Sequence, residues 1–246
     1  TQKGLVDALK SDYPGRFHHY SFECGLSHKR GTEETQRTRA FLFNSIAFTL
    51  AYRLSQKEFF AYENGITSLN LIRRQDLISA RASRTTHPKT HALMSSFLSE
   101  VAGDKIKVAN PFWQLTKADV FKSIDSVGGG NLIGSAVSCS KTFQRLDTGT
   151  HCGGCFQCID RRLAGYASGV QDFDNVGIYS KDIFIDPIES PETRTTALDY
   201  IRQATQFARI TDDQFYLDHL AELSDIVDHI DADGEEEAIE KLWKLC

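Results

Sequence analysis

Four cysteines packed into one short stretch constrain this chain more than anything else in it. Between Ser138 and Ala164 it reads SCSKTFQRLDTGTHCGGCFQCIDRRLA, with Cys139, twelve further residues, and then Cys152, Cys155 and Cys158 in two overlapping Cys-x-x-Cys steps. Zinc in a structural site takes four ligands at tetrahedral angles, and a Cys-x-x-Cys turn supplies thiolates in pairs without long-range help. Gly153 and Gly154 leave the backbone free to wrap close to a metal with its amides turned toward the sulfurs. The spacing predicts a four-cysteine zinc site made by Cys139, Cys152, Cys155 and Cys158. Two disulfides and a thioredoxin-like redox pair are the competing readings. Against them, three cysteines this close do not pair sensibly, and no strand runs directly into a Cys-x-x-Cys helix. Four protein thiolates leave no coordination position for water, so the expected role is structural.

The remaining two cysteines, Cys24 and Cys246, are isolated, and the whole usage fits a reducing cytosol. No segment approaches the apolar run of about twenty residues that a membrane helix needs, and no signal-peptide pattern opens the sequence. A cytoplasmic protein without membrane contact is the expectation. With 246 residues the chain can hold an α/β domain and an appendage around a core that needs no staples. Its formal charge of −5 is unevenly spread: residues 211–240 carry twelve Asp and Glu and no Lys or Arg, which leaves +7 on the rest. The mildly basic body suits an anionic ligand such as a nucleotide, and the excess is too thin for duplex nucleic acid. The acidic stretch reads as the solvated face of helices.

In chain order, Thr1 to Lys10 reads as a helix with Leu5 and Leu9 inward and no capping signal, which suggests a chain cut within an element. Arg16 to Phe22 reads as a short aromatic strand after the Tyr13-Pro14-Gly15 turn, with His18 and His19 on opposite faces. Thr32 caps a long helix expected to reach Arg53, with Glu33 and Glu34 in its first turn. That helix is apolar nearly all round from Phe41 to Leu50, so deep burial is expected. Glu58 to Tyr62 is a strand ended by Glu63-Asn64-Gly65, the kind of position where open α/β sheets place ligand groups. Thr67 to His91 is long, polar and rich in Arg and His, and Pro88 opens the next helix. Lys105 to Ala109 is a further strand, and Thr116-Lys117-Ala118-Asp119 resembles a capping box opening a helix through Ile124. Gly128-Gly129-Gly130 lacks the context of a phosphate loop and reads as a hinge. Cys158 leads into a helix through Tyr166. Asp172 to Pro187 reads as a connector of low regularity. Three helices follow: from Pro191 to Phe207, from Thr211 to about Ile230, and from about Glu235 to the end.

The cysteine stretch resembles the zinc knuckle of 7-cyano-7-deazaguanine synthases, the QueC family of PP-loop ATP pyrophosphatases. Ser138-Cys139, Cys152-Gly153, Cys155, Cys158, Arg161 and Ala164 match the family pattern. Asn110-Pro111-Phe112 with Thr116-Lys117-Ala118-Asp119 resembles the family's strand-loop-helix, and the helix with Arg37, Arg39, Phe41 and Leu42 is similar to the Arg-rich helix beside the adenosine site. The likeness covers roughly Arg16 to Gly169. The family's S-G-G-x-D-S loop is absent from this sequence: either it belongs to a missing part upstream of Thr1, which the uncapped opening helix favours, or this protein lost it. The family's acidic, Cys-containing substrate loop is replaced by Glu63-Asn64-Gly65 and by Ser83 to Pro88. With the helical C-terminal addition, this looks like a divergent QueC-like branch of the kind found in Qat-type anti-phage defence operons.

The resemblance implies an adenine nucleotide alpha hydrolase-like (Rossmann-like) parallel sheet with a four-Cys zinc knuckle and a C-terminal helical appendage. The implied ranges are 1–137 for a partial PP-loop nucleotide-binding α/β domain, 138–169 for the zinc knuckle and 170–246 for the helical C-terminal region. It implies ATP and Mg²⁺ beside structural zinc, and an adenylation on a deazapurine-like or other carboxylate or amide substrate. A substrate oxygen attacks the α-phosphorus, pyrophosphate leaves, and a nucleophile such as ammonia displaces AMP. Such catalysis rests on positioning and charge neutralisation. Lys117 is the first candidate for a phosphate contact; Arg37 and Arg39 are candidates beside the nucleotide, Arg84 and His87 for substrate, and Glu63 for Mg²⁺ or a turn cap. Arg161 is expected to anchor the knuckle through a carboxylate. A small-molecule substrate with ATP, protein partners from a defence operon and a second copy in a homodimer are the implied partners. The rival reading is a zinc-stapled, non-catalytic binding module for nucleic acid or a protein partner.

Overall fold

In the computed structural model, which describes residues 2–22, 39–69, 85–141, 146 and 148–245, the two apolar runs read as strands form one parallel pair. Strand β1 is Glu58–Phe60 and β2 is Lys107–Ala109, with Phe59 opposite Val108. Helices α1 (Gln2–Asp12) and α2 (Arg39–Arg53) precede β1; α3 (Gly65–Leu69) and α4 (Pro88–Ala102) lie between the strands. After β2 come α5 (Lys117–Ser126), α6 (Gly130–Ser135), α7 (Phe156–Ser168), α8 (Pro191–Phe207), α9 (Asp212–Asp218), α10 (Leu220–Val227) and α11 (Glu235–Leu245). Among the described residues the sheet is this two-stranded parallel pair, smaller than the Rossmann-like sheet expected.

The chain divides into two compact units that interleave in sequence. The first takes Thr1–Glu34 and Lys117–Tyr200, the second Thr35–Thr116 and Ile201–Cys246. This partition follows packing, and it runs differently from the ranges 1–137, 138–169 and 170–246.

In the first unit, α5 packs along α7, and α6 sits against α5 and α1. Phe121, Ile133, Ala164 and Val170 form the core there, with Ala118, Ile124 and Phe173 around them. Helix α7 stops where Gly169 takes the left-handed conformation (φ 74°), which lets Val170 N–H reach the Gly165 carbonyl at 3.1 Å. Residues 16–22, expected as a strand, follow an irregular path, and Tyr20 and Phe22 are exposed. Period-two patterning makes a strand only when a sheet edge accepts its backbone, and no such pairing occurs among the described residues.

In the second unit, α4 covers one face of the strand pair: Met94, Leu98, Ile106 and Val108 are buried together, with Phe48 and Phe59 against them. Pro88 starts α4 at its first position, and His87 Nδ1 accepts from Lys89 N–H at 3.3 Å as the cap. Helix α2 departs from expectation. It buries only the stripe at Ala40, Asn44 and Ala51, while Phe41, Leu42, Phe43 and Tyr52 stay exposed. A helix that is apolar all round can bury only the faces that have neighbours, and α2 packs chiefly on β1 and α4.

The acidic C-terminal helices also belong to this unit. Phe215, Leu223, Ile226 and Leu242 are fully buried and pack with Leu69 and Leu245, and Ile66 and Trp113 lie against them. Complete burial of such side chains stabilises by about 1.5–3 kcal/mol each. The carboxylates of 211–240 lie almost wholly on the outward faces, as the sequence pattern indicated. The single helix expected from Thr211 to about Ile230 is two. It breaks at His219, a nearly buried residue whose ring packs on Phe207 and Phe215 at 6.0 and 5.1 Å between centroids.

Candidate metal centre

The cysteine site is assembled by turns closed around sulfur. Cys139 ends an extended stretch after α6, and its Sγ accepts from Lys141 N–H at 3.3 Å and Cys152 N–H at 3.4 Å. Cys152 Sγ accepts from Cys155 N–H at 3.3 Å. Cys155 is the N-cap of α7, and Cys158 lies in the first turn of that helix. The turn needs glycine at 153, where φ is 79° and a Cβ would stand 1.6 Å from the Lys181 carbonyl oxygen.

All four sulfurs lie within 4.8 Å of one another. Cys139–Cys155 is 4.0 Å, Cys152–Cys158 is 3.9 Å and Cys155–Cys158 is 3.4 Å. Bonds of about 2.3 Å to a tetrahedral zinc give sulfur–sulfur edges of about 3.8 Å, so the donor set fits that ion. A disulfide needs about 2.0 Å, and none joins these four residues. The thiols also bias one another. Hydrogen bonds from Cys152 and Cys158 pull the Cys155 thiol far down, while the Cys152 and Cys158 thiols are pushed up chiefly by their bonding to neighbouring cysteines. One thiolate is thus held by its neighbours as donors, and further ionisation is opposed until a dication offsets the accumulated charge.

The residues around the sulfurs were the part hardest to find from sequence. His151, fully buried, accepts at Nε2 from Ser138 N–H at 3.2 Å and pairs through Nδ1 with Thr150 Oγ1 at 2.9 Å. Both nitrogens are engaged, so it is a brace for the knuckle. Burial, followed by the nearby Arg161 charge, lowers its pKa to about 4. Residues 172–187, expected as an irregular connector, form the other wall. Thr150 and His151 N–H groups bond to Ile178 O at 2.9 and 3.0 Å, and Ser180 N–H bonds to His151 O at 2.7 Å. Arg161 meets a carboxylate as expected: its Nε is 2.7 Å from Asp174 Oδ1, and its Nη1 donates to Ala136 O at 2.9 Å. Arg162 lies 3.4 Å from Asp174 Oδ2 and 2.5 Å from Asp182 Oδ2. Tyr179 OH donates to Asp174, at 2.9 Å to Oδ2. Arg161, Arg162, Asp174 and Asp182 are each at most 3 % exposed. Burial disfavours the Arg162 cation, yet Asp182 and Asp174 outweigh it and hold its pKa above the ordinary value. Burial, then Asp174, pushes the Tyr179 phenol up. Of this buried network, Arg161 was the residue the sequence pointed to.

Among the proposed nucleotide and substrate residues, Lys117 belongs to the first unit. At the start of α5 its ammonium is paired with Asp160, and it donates to Gln157 Oε1 at 3.4 Å. Glu63 and His87 belong to the second unit. Glu63 Oε1 accepts from Asn64 N–H at 3.2 Å and from Asn64 Nδ2 at 3.1 Å, while the cap of α3 is Asn64, whose Oδ1 accepts from Thr67 N–H at 3.1 Å. Asn110, just past β2, donates to Glu63 O and Ser68 Oγ, both at 2.8 Å, and Ser68 bonds to Thr86 beside His87 at 3.1 Å. A hydrogen-bonded chain therefore runs from the Glu63 carbonyl through Asn110 and Ser68 to Thr86, the residue before His87. Arg37, Arg84 and the side chain of Arg39 lie outside the described residues. Apart from the cysteines, no group of three or more metal-ligating side chains gathers among the described residues. No described helix is long and apolar enough to cross a membrane.

His91 was not singled out by the sequence. It is 6 % exposed, and burial lowers its pKa to about 4. Below its unfolded pKa of about 6.5 the unfolded chain takes up a proton that the folded chain refuses. Stability from this residue is therefore complete above about 6.5 and falls as pH drops toward 4, by up to about 3 kcal/mol. The two tryptophans, Trp113 and Trp243, both lie in the second unit. Urea unfolding followed by their fluorescence should show this slope, and His91→Phe should flatten it; an identical slope in the variant would assign the effect elsewhere.

Comparison with known proteins adds one positive finding. Residues 82–169 match the family model described as QueC, queuosine biosynthesis protein QueC. The matched stretch begins before α4, contains β2, α5 and all four cysteines, and ends at the Gly169 cap of α7. No curated protein and no solved structure matches the chain.

Proposed function

We propose that this QueC-like chain is the zinc-bearing part of an ATP-dependent adenylating enzyme that releases pyrophosphate and AMP. Its substrate is a deazapurine-like or other carboxylate or amide compound. The observation that carries the reading is the match over 82–169, with four thiols inside it at the spacing of a tetrahedral metal site. Cys139, Cys152, Cys155 and Cys158 hold the zinc, which has a structural role because four thiolates close its coordination. ATP enters with Mg²⁺ on its phosphates. Lys117, at a helix N-terminus where a cation needs an anion beside it, exchanges Asp160 for a phosphate oxygen. Arg37 and Arg39 flank the nucleotide; Arg84, His87 and Glu63 serve the substrate. The divergent loops and the helical C-terminus favour the Qat-like branch, acting in the cytoplasm with the protein partners of a defence operon, as a homodimer.

The test is pyrophosphate release by the full-length protein with ATP, Mg²⁺ and a panel of deazapurine carboxylates. Lys117→Ala should weaken ATP binding about tenfold, as loss of one charge-assisted contact does, and cost about 1 kcal/mol of stability from the pair with Asp160. Unchanged ATP affinity removes Lys117 from the site. No pyrophosphate release with any substrate supports the second reading, a zinc-stapled binding module. That reading draws on Lys117 already being neutralised by Asp160.

A further inference from the structure

Helices α2 and α4 pack on each other in the second unit and leave a broad apolar face in water. On α4, Leu93, Phe97 and Val101 recur at every fourth residue and so form one row along the helix. Phe97 meets Phe41 of α2 at 6.0 Å between ring centroids, and Tyr52 lies 5.7 Å from Phe48 further along α2. Phe41, Tyr52, Leu93, Phe97 and Val101 are each 49–63 % exposed. Aromatic side chains carry about 150–250 Å² each, so five large side chains roughly half in water leave about 500 Å² of apolar surface. A patch of this size marks an interaction surface more often than bare solvent.

Charge and shape narrow what covers it. No Asp, Glu, Lys or Arg occurs from Ala40 to Tyr52, and Glu100 is the only one between Thr90 and Ala102. Nucleic acid and lipid headgroups call for Lys or Arg on the face, and these two segments supply none. A second copy of the chain needs no complementary charge, since a neutral face laid on itself brings no like charges together. The row on α4 is also self-complementary. Ridges of residues four apart interdigitate with their like at about −50°, the commonest helix packing, and a two-fold axis generates that contact from a single surface. Two copies together bury about 1,000 Å² of apolar surface, the floor for a specific interface, before the rim at Ser45, Thr49 and Ser96 is added.

We propose that two copies of this chain pair through the α2–α4 face, with Leu93, Phe97 and Val101 packed against the same row of the second copy. The inference names the surface behind the homodimer proposed above and rests on that reading; it needs neither ATP nor zinc. In sedimentation velocity the full chain should pass from monomer to dimer with a midpoint on the order of 10 µM, as suits an interface at the lower end of the size range. Phe97 is half in water, so Phe97→Asp should fold with an unchanged far-ultraviolet circular dichroism spectrum. It should raise the midpoint at least about tenfold, because pairing would bury a charge without a partner. In a separate variant, Phe97→benzoylphenylalanine, illumination should give covalent dimers whose links fall within 41–52 or 93–101. A chain that stays monomeric throughout would overturn the homodimer and this face together. A dimer that Phe97→Asp leaves unchanged, or whose links fall elsewhere, would overturn the face while the homodimer stands.

Discussion

Cys155→Ser should cost the chain its bound zinc and, with it, the order of the whole 136–187 region. Cys155 touches both Cys139 and Cys158, and its backbone caps α7, so its sulfur connects every arm of the cluster. Metal binding to such a site is folding free energy, of the order of 10 kcal/mol in small zinc modules, comparable with the entire stability of a domain. Wild-type protein should carry stoichiometric zinc by elemental analysis, and the variant well under half of it. Hydrogen exchange should then accelerate at Thr150, His151 and Ser180, whose amides bond across the two walls. A variant that keeps slow exchange at these amides without zinc would show that the walls hold by themselves and that the metal is incidental.

Asp174→Ala should be nearly as damaging, through a different cause. Asp174 is fully buried and takes bonds from Arg161, Arg162 and Tyr179. Removing it leaves the Arg161 guanidinium without a carboxylate and Arg162 with Asp182 alone in a site of low dielectric, and breaking a buried pair from one side typically costs about 3–5 kcal/mol. Asp174→Asn keeps the acceptor oxygen and should lose less. The readout is the urea concentration at which a colorimetric chelator captures the zinc. It should drop markedly for the alanine variant and by a smaller step for asparagine. Equal zinc retention in all three proteins would mean that the charge network does not support the knuckle.

These two effects arise from parts of the molecule that were unequally visible in the sequence. The thiols were legible because coordination chemistry fixes both residue type and local spacing, and Cys152, Cys155 and Cys158 need only one turn to converge. Pro191 and Glu235 were equally plain as helix starts, since a cap, a proline or an acidic first turn is a local signal. Asp174 and Asp182 gave no such signal. A buried carboxylate in an irregular stretch looks like any loop residue until its arginine partner, twelve or more positions away, is placed beside it. Helix α2 failed in the opposite direction, because composition reports how apolar a helix is and not which of its faces meets a neighbour. His91 was hidden for a third reason: it closes a stretch that reads as a polar loop, and only the fold shows its ring buried on α4 with Nε2 lacking a partner among the described residues.

The alternation of the chain between its two compact units bears on how the protein is made. Helix α1 emerges from the ribosome early, but α6, which it packs against, begins only at Gly130. The strand pair is complete at Ala109, whereas Leu69 and Trp113 must remain uncovered until α9 to α11 arrive, the last of them ending at Leu245. At about 5–20 residues per second, that interval is on the order of ten seconds. Nascent chains of this protein therefore carry greasy, half-built surfaces for a long stretch of translation, and holding factors at the tunnel exit have a clear window in which to act. Neither unit can be cut out as one continuous fragment, so shortened versions will inherit that exposure permanently.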